Sequence, residues 1–276
     1  MSGLLTLELL DSGHCVVPEW QVMRGTSRRP LHCHALVALI NHPHHGWILF
    51  DSGYAPRLLE VLRHWPFRIY HYLTPLRLQP ELAIVTQLAA RGITPEMIST
   101  LIISHFHLDH VAGLHDFPAA RLVADRAALD YAPQLQGMAA LRRGLIPTLL
   151  PPDLDQRALP TDRLPRGPEL PHLGPTYDLF GDGSILLVSL PGHARGQLGA
   201  LLTSSEGTLL LAADGAWTSR AIRELRPPTR LTNLLADDPR AVEETLARLR
   251  AFAESRPEVR ILPTHCPEVY AGWLSR

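Results

Sequence analysis

Short apolar runs rich in Leu, Ile and Val, each closed by turn-forming residues, recur along the chain at strand length. Bounded in this way, such runs predict half-buried or fully buried strands. They fall at Leu4–Leu10, Leu36–Ile40, Trp47–Phe50, Thr100–Ile103, Arg121–Ala124, Tyr177–Phe180, Ile185–Leu190, Leu198–Thr203, Thr208–Ala213 and Arg260–Pro263. Between them the apolar spacing turns helical. Leu58, Leu59 and Leu62 share a stripe that Pro66 ends, Glu81–Ala90 is closed by Gly92, and Asp125–Tyr131 opens on a capping acid. Asp238–Ser255 sets Val242, Leu246, Leu249 and Phe252 against a face of Arg and Glu. Strands broken by helices predict a mixed α/β architecture.

The punctuation is as informative as the runs. Gly181-Asp182-Gly183 and Ser204-Ser205-Glu206-Gly207 predict hairpin turns. Asn41-His42-Pro43-His44-His45-Gly46 predicts another, and because Pro and Gly already account for it, its three histidines read as a solvated tip. Three stretches lack a period. Val16–His34, with Pro18, Gly25 and Pro30, reads as an irregular loop; Phe67–Leu78, with its aromatics and His71, reads as a lid or a surface for a homodimer. Residues 133–175 are Pro-rich with two short apolar helical pieces, and a stretch so long and irregular reads as a functional cover where substrate size is selected. The expected organisation is one domain over 1–276 carrying that insertion.

At 276 residues, 46% hydrophobic and 19% charged, the chain can bury a large core. No apolar run reaches the roughly 18–20 residues of a membrane span. Met1–Glu8 lacks a basic segment and meets an acid too early for a signal peptide, so the expectation is a first strand of a cytoplasmic protein. Cys15, Cys33 and Cys266 are odd in number and unmotivated as pairs, which predicts free thiols. A net charge of −1 gives no electrostatic basis for nucleic-acid or membrane binding. All 26 basic residues are arginine, so Schiff-base chemistry through lysine is excluded.

The densest chemistry lies in Ser104-His105-Phe106-His107-Leu108-Asp109-His110, directly after the run Thr100–Ile103. A strand alternates faces, so His105 and His107 leave its end on the same side, and the turn that follows can bring Asp109 and His110 to a second position nearby. One hexapeptide can therefore feed two adjacent metal ions. Imidazole and carboxylate suit zinc, iron, manganese or cobalt, and with no thiolate to close the site there is room for water and catalysis.

This hexapeptide resembles the signature of the metallo-β-lactamase-fold hydrolases, and the resemblance continues along most of the chain. Members place a third histidine after a later strand, matched by Leu186–Gly192 leading to His193; a bridging aspartate, matched by Asp214 after Leu209–Ala213; and a last histidine, matched by His265 after Arg260–Thr264. The resemblance implies a four-layer αββα sandwich. It also implies that His105, His107 and His193 hold one divalent ion, that Asp109, His110 and His265 hold the other, and that Asp214 bridges them, with zinc ahead of manganese, iron or cobalt. Phe50-Asp51-Ser52-Gly53 resembles the family's Asp-[Thr/Ser]-Gly turn, in which Asp51 would support ligands rather than bind metal. With seven ligand positions filled, His115 is expected to play a supporting or structural part.

The implied chemistry is hydrolysis: a hydroxide shared by the two ions attacks a polarised carbonyl, and Asp109 protonates the leaving group. Among family members the chain looks most like the N-acyl-homoserine lactone lactonases, which implies a small-molecule lactone or ester substrate. Those enzymes carry a tyrosine three residues after the bridging aspartate, where this chain has Trp217; an indole N–H can donate one hydrogen bond but has a different reach. Trp217 and Asp109 are thus the candidate catalytic residues. Trp20 or Met23 is expected to touch substrate, and Arg195 is a candidate partner for a substrate carboxylate, whereas Arg220, Arg223 and Arg226 read as solvated. The alternatives are a glyoxalase II-like thioesterase, which normally adds a C-terminal helical domain, a phosphodiesterase on the same metals, and a ligand-binding sensor without turnover.

Overall fold

The computed structural model describes residues 4–274, so the first three residues of the stretch Met1–Glu8 lie outside it, while the expected strand Leu4–Leu10 lies within. Two sheets form. The first contains β1 (Thr6–Pro18), β2 (Pro30–His42), β3 (Gly46–Phe50), β4 (Leu76–Arg77), β5 (Ile98–Ile102), β6 (Arg121–Ala124) and β7 (Ala158–Pro160), in the order β4-β1-β2-β3-β5-β6-β7. The second contains β8 (Arg166–Leu170), β9 (Gly174–Asp178), β10 (Ile185–Ser189), β11 (Leu198–Ser204), β12 (Gly207–Ala213) and β13 (Arg260–Pro263), in the order β13-β12-β11-β10-β9-β8.

Successive residues of a strand face opposite sides, and here both sides are apolar. From the first sheet Leu9, Leu36, Ala38, Ile40 and Ile48 pack inward against Ile185, Leu187, Ala200, Leu202 and Leu209 of the second. Their neighbours Leu10, Val37, Leu39 and Leu49 face outward onto the helical layer that includes Leu58, Ile84 and Leu88. The outer face of the second sheet, Leu186, Val188, Leu201 and Leu210, takes Leu246, Leu249 and Phe252 of the helix Pro239–Ser255, which Asp238 caps. The result is helix, sheet, sheet, helix, and runs that are apolar without alternation are what such double coverage demands. The αββα expectation holds.

Three local expectations change. Val16–His34 is not a loop throughout: β1 and β2 continue into it from both ends as a two-stranded ribbon to Pro18 opposite Pro30. Glu19 N–H donates to Arg29 C=O, so the adjacent Pro18/Pro30 pair occupies a position without ladder hydrogen bonds, where proline loses nothing. The histidine turn is a hairpin, as expected, with His44 and His45 exposed at its tip, but its first histidine is not solvated. His42 is buried, its Nε2 lies 3.1 Å from Ser184 Oγ and 3.4 Å from Asp182 Oδ2, and His45 stacks on Phe180, because the turn packs against the β9–β10 hairpin of the other sheet. Residues 133–175, expected to be an irregular insertion, contribute to the sandwich itself, since β7 and β8 within them form an edge strand of each sheet.

Candidate metal centre

The centre is assembled at the C-terminal ends of strands from both sheets. β5 leads into Ser104 and His105, and His107 stands at the start of the short helix Leu108–Val111, which carries Asp109 and His110. β10 leads to His193, β12 to Asp214 and β13 to His265. Leu198 N–H donates to Ser104 C=O at 2.9 Å and ties the two sheets together beside the site. Gly192 sets the position of His193: its φ is +126°, and a Cβ there would meet Val242 N at 2.3 Å, so only glycine lets the long helix pack so closely.

The seven residues singled out from sequence converge as two groups. His105, His107, His193 and Asp214 present ligand atoms within 4.8 Å of one another, as do Asp109, His110 and His265. His193 Nε2 lies 2.8 Å from His107 Nδ1 and 3.1 Å from Asp214 Oδ2. Asp214 reaches the second group as well, with Oδ1 3.1 Å from His265 Nε2 and 3.4 Å from His110 Nε2. Asp109 Oδ2 stands 3.4 Å from His265 Nε2.

Behind the ligand atoms, His105, His110 and His265 are each oriented through the other ring nitrogen. Asp51, held at φ +66°, accepts from His110 Nδ1 at 2.8 Å, from Ser104 Oγ at 2.8 Å and from Ser104 N–H at 2.8 Å. Ser104 Oγ, its proton given to Asp51, accepts from His105 Nδ1 at 3.0 Å. His265 Nδ1 donates to the His34 carbonyl at 2.5 Å. With Nδ1 donating outward, the network leaves Nε2 of His105, His110 and His265 with a lone pair aimed inward. His105 Nε2, His110 Nε2 and Asp214 Oδ1 are buried with no hydrogen-bond partner. Buried acceptors left without a partner are costly unless cations fill the space before them, and they fall in both groups, His105 Nε2 in one and His110 Nε2 in the other, so the residues fit a pair of divalent ions.

Electrostatics divide the site. Burial, reinforced by neighbouring imidazoles, holds His105 and His107 well below the ordinary histidine range, so both are neutral ligands. Burial also opposes charge on His110 and His265, but Asp51, Asp109 and Asp214 outweigh it at His110, and Asp214 and Asp109 raise His265 to about 9. Burial works against ionised Asp214 too, yet His265, His110 and His193 hold its carboxyl well below the usual range. Protons bound by this carboxylate-rich half occupy the place a metal ion would take.

A second histidine group, His42, His45 and Asp182, is close enough to suggest a metal. The hydrogen bonds argue against it. His42 Nδ1 accepts from the N–H groups of His44 and His45 at 3.1 and 3.2 Å, so its ring proton sits on Nε2, the atom facing Asp182. That nitrogen has no lone pair to offer.

The centre opens into a cavity of about 670 Å3, walled by apolar side chains from Val17 and Val22, the helix Arg68–Leu73, Leu141, the segment around Leu234, and Leu246. Trp217 lines it, its ring edge-on to His193 at 5.5 Å and to His265 at 6.2 Å. Trp20 and Met23 are absent from the wall. Met23 is buried beneath it with Thr218 Oγ1 donating to its sulfur, because the β1–β2 ribbon turns Gln21 and Val22 inward instead. Arg195 pairs with Asp237 over the Tyr131 ring outside this cavity. Arg220 and Arg223 pair with glutamates, and Arg226, though paired with Glu224, reaches the wall. His115 plays the structural part, reaching the Thr148 carbonyl at 3.2 Å. Ser104 and the His34 carbonyl were not legible as supports, because a hydroxyl and a main-chain oxygen carry no signature of what they will face.

A buried cluster of imidazoles and carboxylates at the strand ends of an αββα sandwich defines a metal-dependent hydrolase. The profile of the metallo-beta-lactamase superfamily matches residues 32–265, and the chain belongs to that superfamily. It is 29% identical to the N-acyl homoserine lactonase AttM of Azorhizobium caulinodans, over 85% of this chain and 82% of that one. To the AttM of Rhizobium johnstonii it is 31% identical, over 85% and 81%. Among solved structures it is similar to an N-acyl homoserine lactone hydrolase bearing the product N-hexanoyl-L-homoserine at its catalytic metal centre, with a TM-score of 0.76 and 18% identity, covering 98% of this chain and 96% of that one. Similarity extends to AidC, a dizinc quorum-quenching lactonase, with a TM-score of 0.65 and 15% identity over 97% and 89%.

Proposed function

We propose that this hydrolase opens the ring of an acylated lactone of the N-acyl homoserine lactone type, using two zinc ions. The observation that carries the reading is the join between two ligand groups sharing Asp214 and a large apolar cavity directly above them. His105, His107 and His193 would hold one ion, Asp109, His110 and His265 the other, with Asp214 common to both. Bound there, two divalent ions supply Lewis-acid polarisation of a carbonyl and a water acidic enough to ionise near neutral pH. The curated relatives named as N-acyl homoserine lactonases support the substrate class.

The chain's own groups do the rest. Asp109 lies on the cavity wall, so its carboxyl can carry a proton to the leaving oxygen once the ring opens. Trp217 flanks two ligand histidines, shields them from water, and offers an indole N–H to the lactone carbonyl in place of a phenol. The apolar wall excludes water from the remainder of the substrate and takes up its acyl arm. Residues 141–144 carry the proposed covering role, since Leu141, Arg142, Arg143 and Gly144 all line the cavity.

Proton release by zinc-loaded protein against matched lactones, thioesters and phosphodiesters tests the reading. Fast lactone opening, lost in His193→Ala, is the expected result. Turnover confined to thioesters or phosphodiesters would replace the lactonase reading while keeping the metal site.

A further inference from the structure

Two side chains in the cavity wall have no part in hydrolysis. Cys15 on β1 and Cys33 on β2 are direct partners in the antiparallel register, so their side chains stand on the same face. Both are free thiols, 8% and 4% exposed, and both line the cavity. Cys266, the third free thiol, differs in its surroundings: it is fully buried away from the cavity, has no facing cysteine, and its sulfur accepts from Ser219 N–H.

We propose that Cys15 and Cys33 are a reversible oxidation site, closed to a disulfide by a hydroperoxide that enters through the substrate cavity. The register makes the bond attainable. Val16 N–H points away from β2 to the Pro75 carbonyl, and Glu19 N–H donates to Arg29, which places Cys15/Cys33 among the hydrogen-bonded pairs. Such pairs have Cα atoms about 5.5 Å apart, within the roughly 4.4–6.8 Å that a disulfide spans. Their Cβ atoms are wider apart than an unstrained bond prefers, so the disulfide would be strained and readily reduced, the property of a switch rather than of a structural staple. The facing Cys33 thiol lowers the pKa of Cys15, against the opposing effect of burial.

The step balances. The Cys15 sulfur attacks one peroxide oxygen and breaks the O–O bond, giving a sulfenic acid and an alcohol, or water when the oxidant is hydrogen peroxide. Cys33 then attacks the sulfenic sulfur, the S–S bond forms, and a water leaves. Two thiols lose two electrons and two protons in total, and the peroxide gains both.

Closure has a direct route to the metal centre. Cys33 is followed by His34, whose carbonyl holds His265 Nδ1 at 2.5 Å. Drawing Cys33 toward β1 displaces that acceptor and loosens the orientation of His265, and loss of such a supporting hydrogen bond costs about 10–100-fold in metal affinity or activity.

The test treats zinc-loaded wild-type protein with a small excess of hydrogen peroxide, measures bound zinc and lactone turnover on one portion, and unfolds a second portion in guanidinium before alkylation with iodoacetamide and measurement of intact mass. Expected are one alkylatable thiol where untreated protein gives three, loss of the mass of two hydrogens, a peptide linking 15 to 33, and a 10–100-fold weaker hold on one zinc. Dithiothreitol should reverse all four changes, and Cys15→Ser and Cys33→Ser should each prevent them. Three thiols still alkylatable after treatment, oxidation past sulfenic acid without a cross-link, or a cross-link that leaves zinc affinity unchanged would overturn the proposal. The mass and zinc readouts do not depend on lactone turnover, so failure of the lactonase reading is told apart.

Discussion

Asp51 is the residue on which most of the ligand geometry turns. It holds His110 directly and His105 through Ser104, from a backbone conformation with φ +66° that side chains other than Asn, Asp or Gly adopt only at a cost. Asp51→Asn keeps that conformation accessible but removes the charge and offers only one acceptor oxygen. It should weaken metal binding about 10–100-fold with little change in secondary structure. Competition for zinc against a chelator of known affinity measures this, and unchanged affinity would mean that the rings are held by packing alone. Four of the candidate ligands were readable because His105, His107, Asp109 and His110 crowd one strand end, whereas His193, Asp214, His265 and the supporting Asp51 were readable only through the resemblance to the family, a lone histidine or aspartate being ordinarily structural. His42 was misread for a related reason. A histidine beside Pro and Gly looks solvated until a hairpin from the other sheet is laid over it, and no spacing along the chain reports that contact.

At the scale of elements, the long amphipathic helix and the central strands of both sheets follow from the pattern, because each buries an apolar set, whereas the short edge strands β4, β7 and β8 lie in stretches without a period and do not. The ribbon through Pro18 and Pro30 does not, since the cross-strand register that makes those prolines harmless is a pairing between distant residues. The cavity wall was also unreadable, being assembled from pieces far apart in sequence. Two of those pieces expose leucines at its mouth: Leu73 is 74% exposed, Leu231 66%, Leu234 69% and Leu235 59%. Leucines left in water beside an apolar cavity gain from a ligand that covers them. An acyl chain running over them should gain about 0.8 kcal/mol per buried methylene, roughly fourfold in kcat/KM for each. Leu234→Ser with Leu235→Ser should flatten the rise of kcat/KM with chain length and leave short-chain lactones and thermal stability nearly unchanged. An equal loss at every chain length would place these leucines outside the acyl path.

For the whole molecule, the metal centre is also a clasp between two sheets, because His105, His107, Asp109 and His110 come from the first and His193, Asp214 and His265 from the second. Its protonation therefore enters the stability of the sandwich. His265 is raised to about 9 in the folded protein against about 6.5 unfolded, so its contribution is complete below about pH 6.5 and is lost as pH rises through about 9, a change of about 3 kcal/mol. His110, also raised, acts in the same direction. His105 and His107 are lowered, so their effect is opposite: it is present above about 6.5 and is lost as acid protonates them in the unfolded chain. Asp214, held well below the usual carboxylate range, adds a further loss in stronger acid. The metal-free protein should therefore be most stable near pH 6.5 and lose Tm steadily toward pH 9. Bound zinc takes the place of the protons on His110 and His265, and a metal competes better as protons become scarce. The gain in Tm on adding zinc should accordingly widen from pH 6.5 to 9. Thermal unfolding of chelated and zinc-loaded protein across that range measures it, and two curves that stay parallel would show that the histidines nearest Asp214 do not hold the metal that joins the sheets.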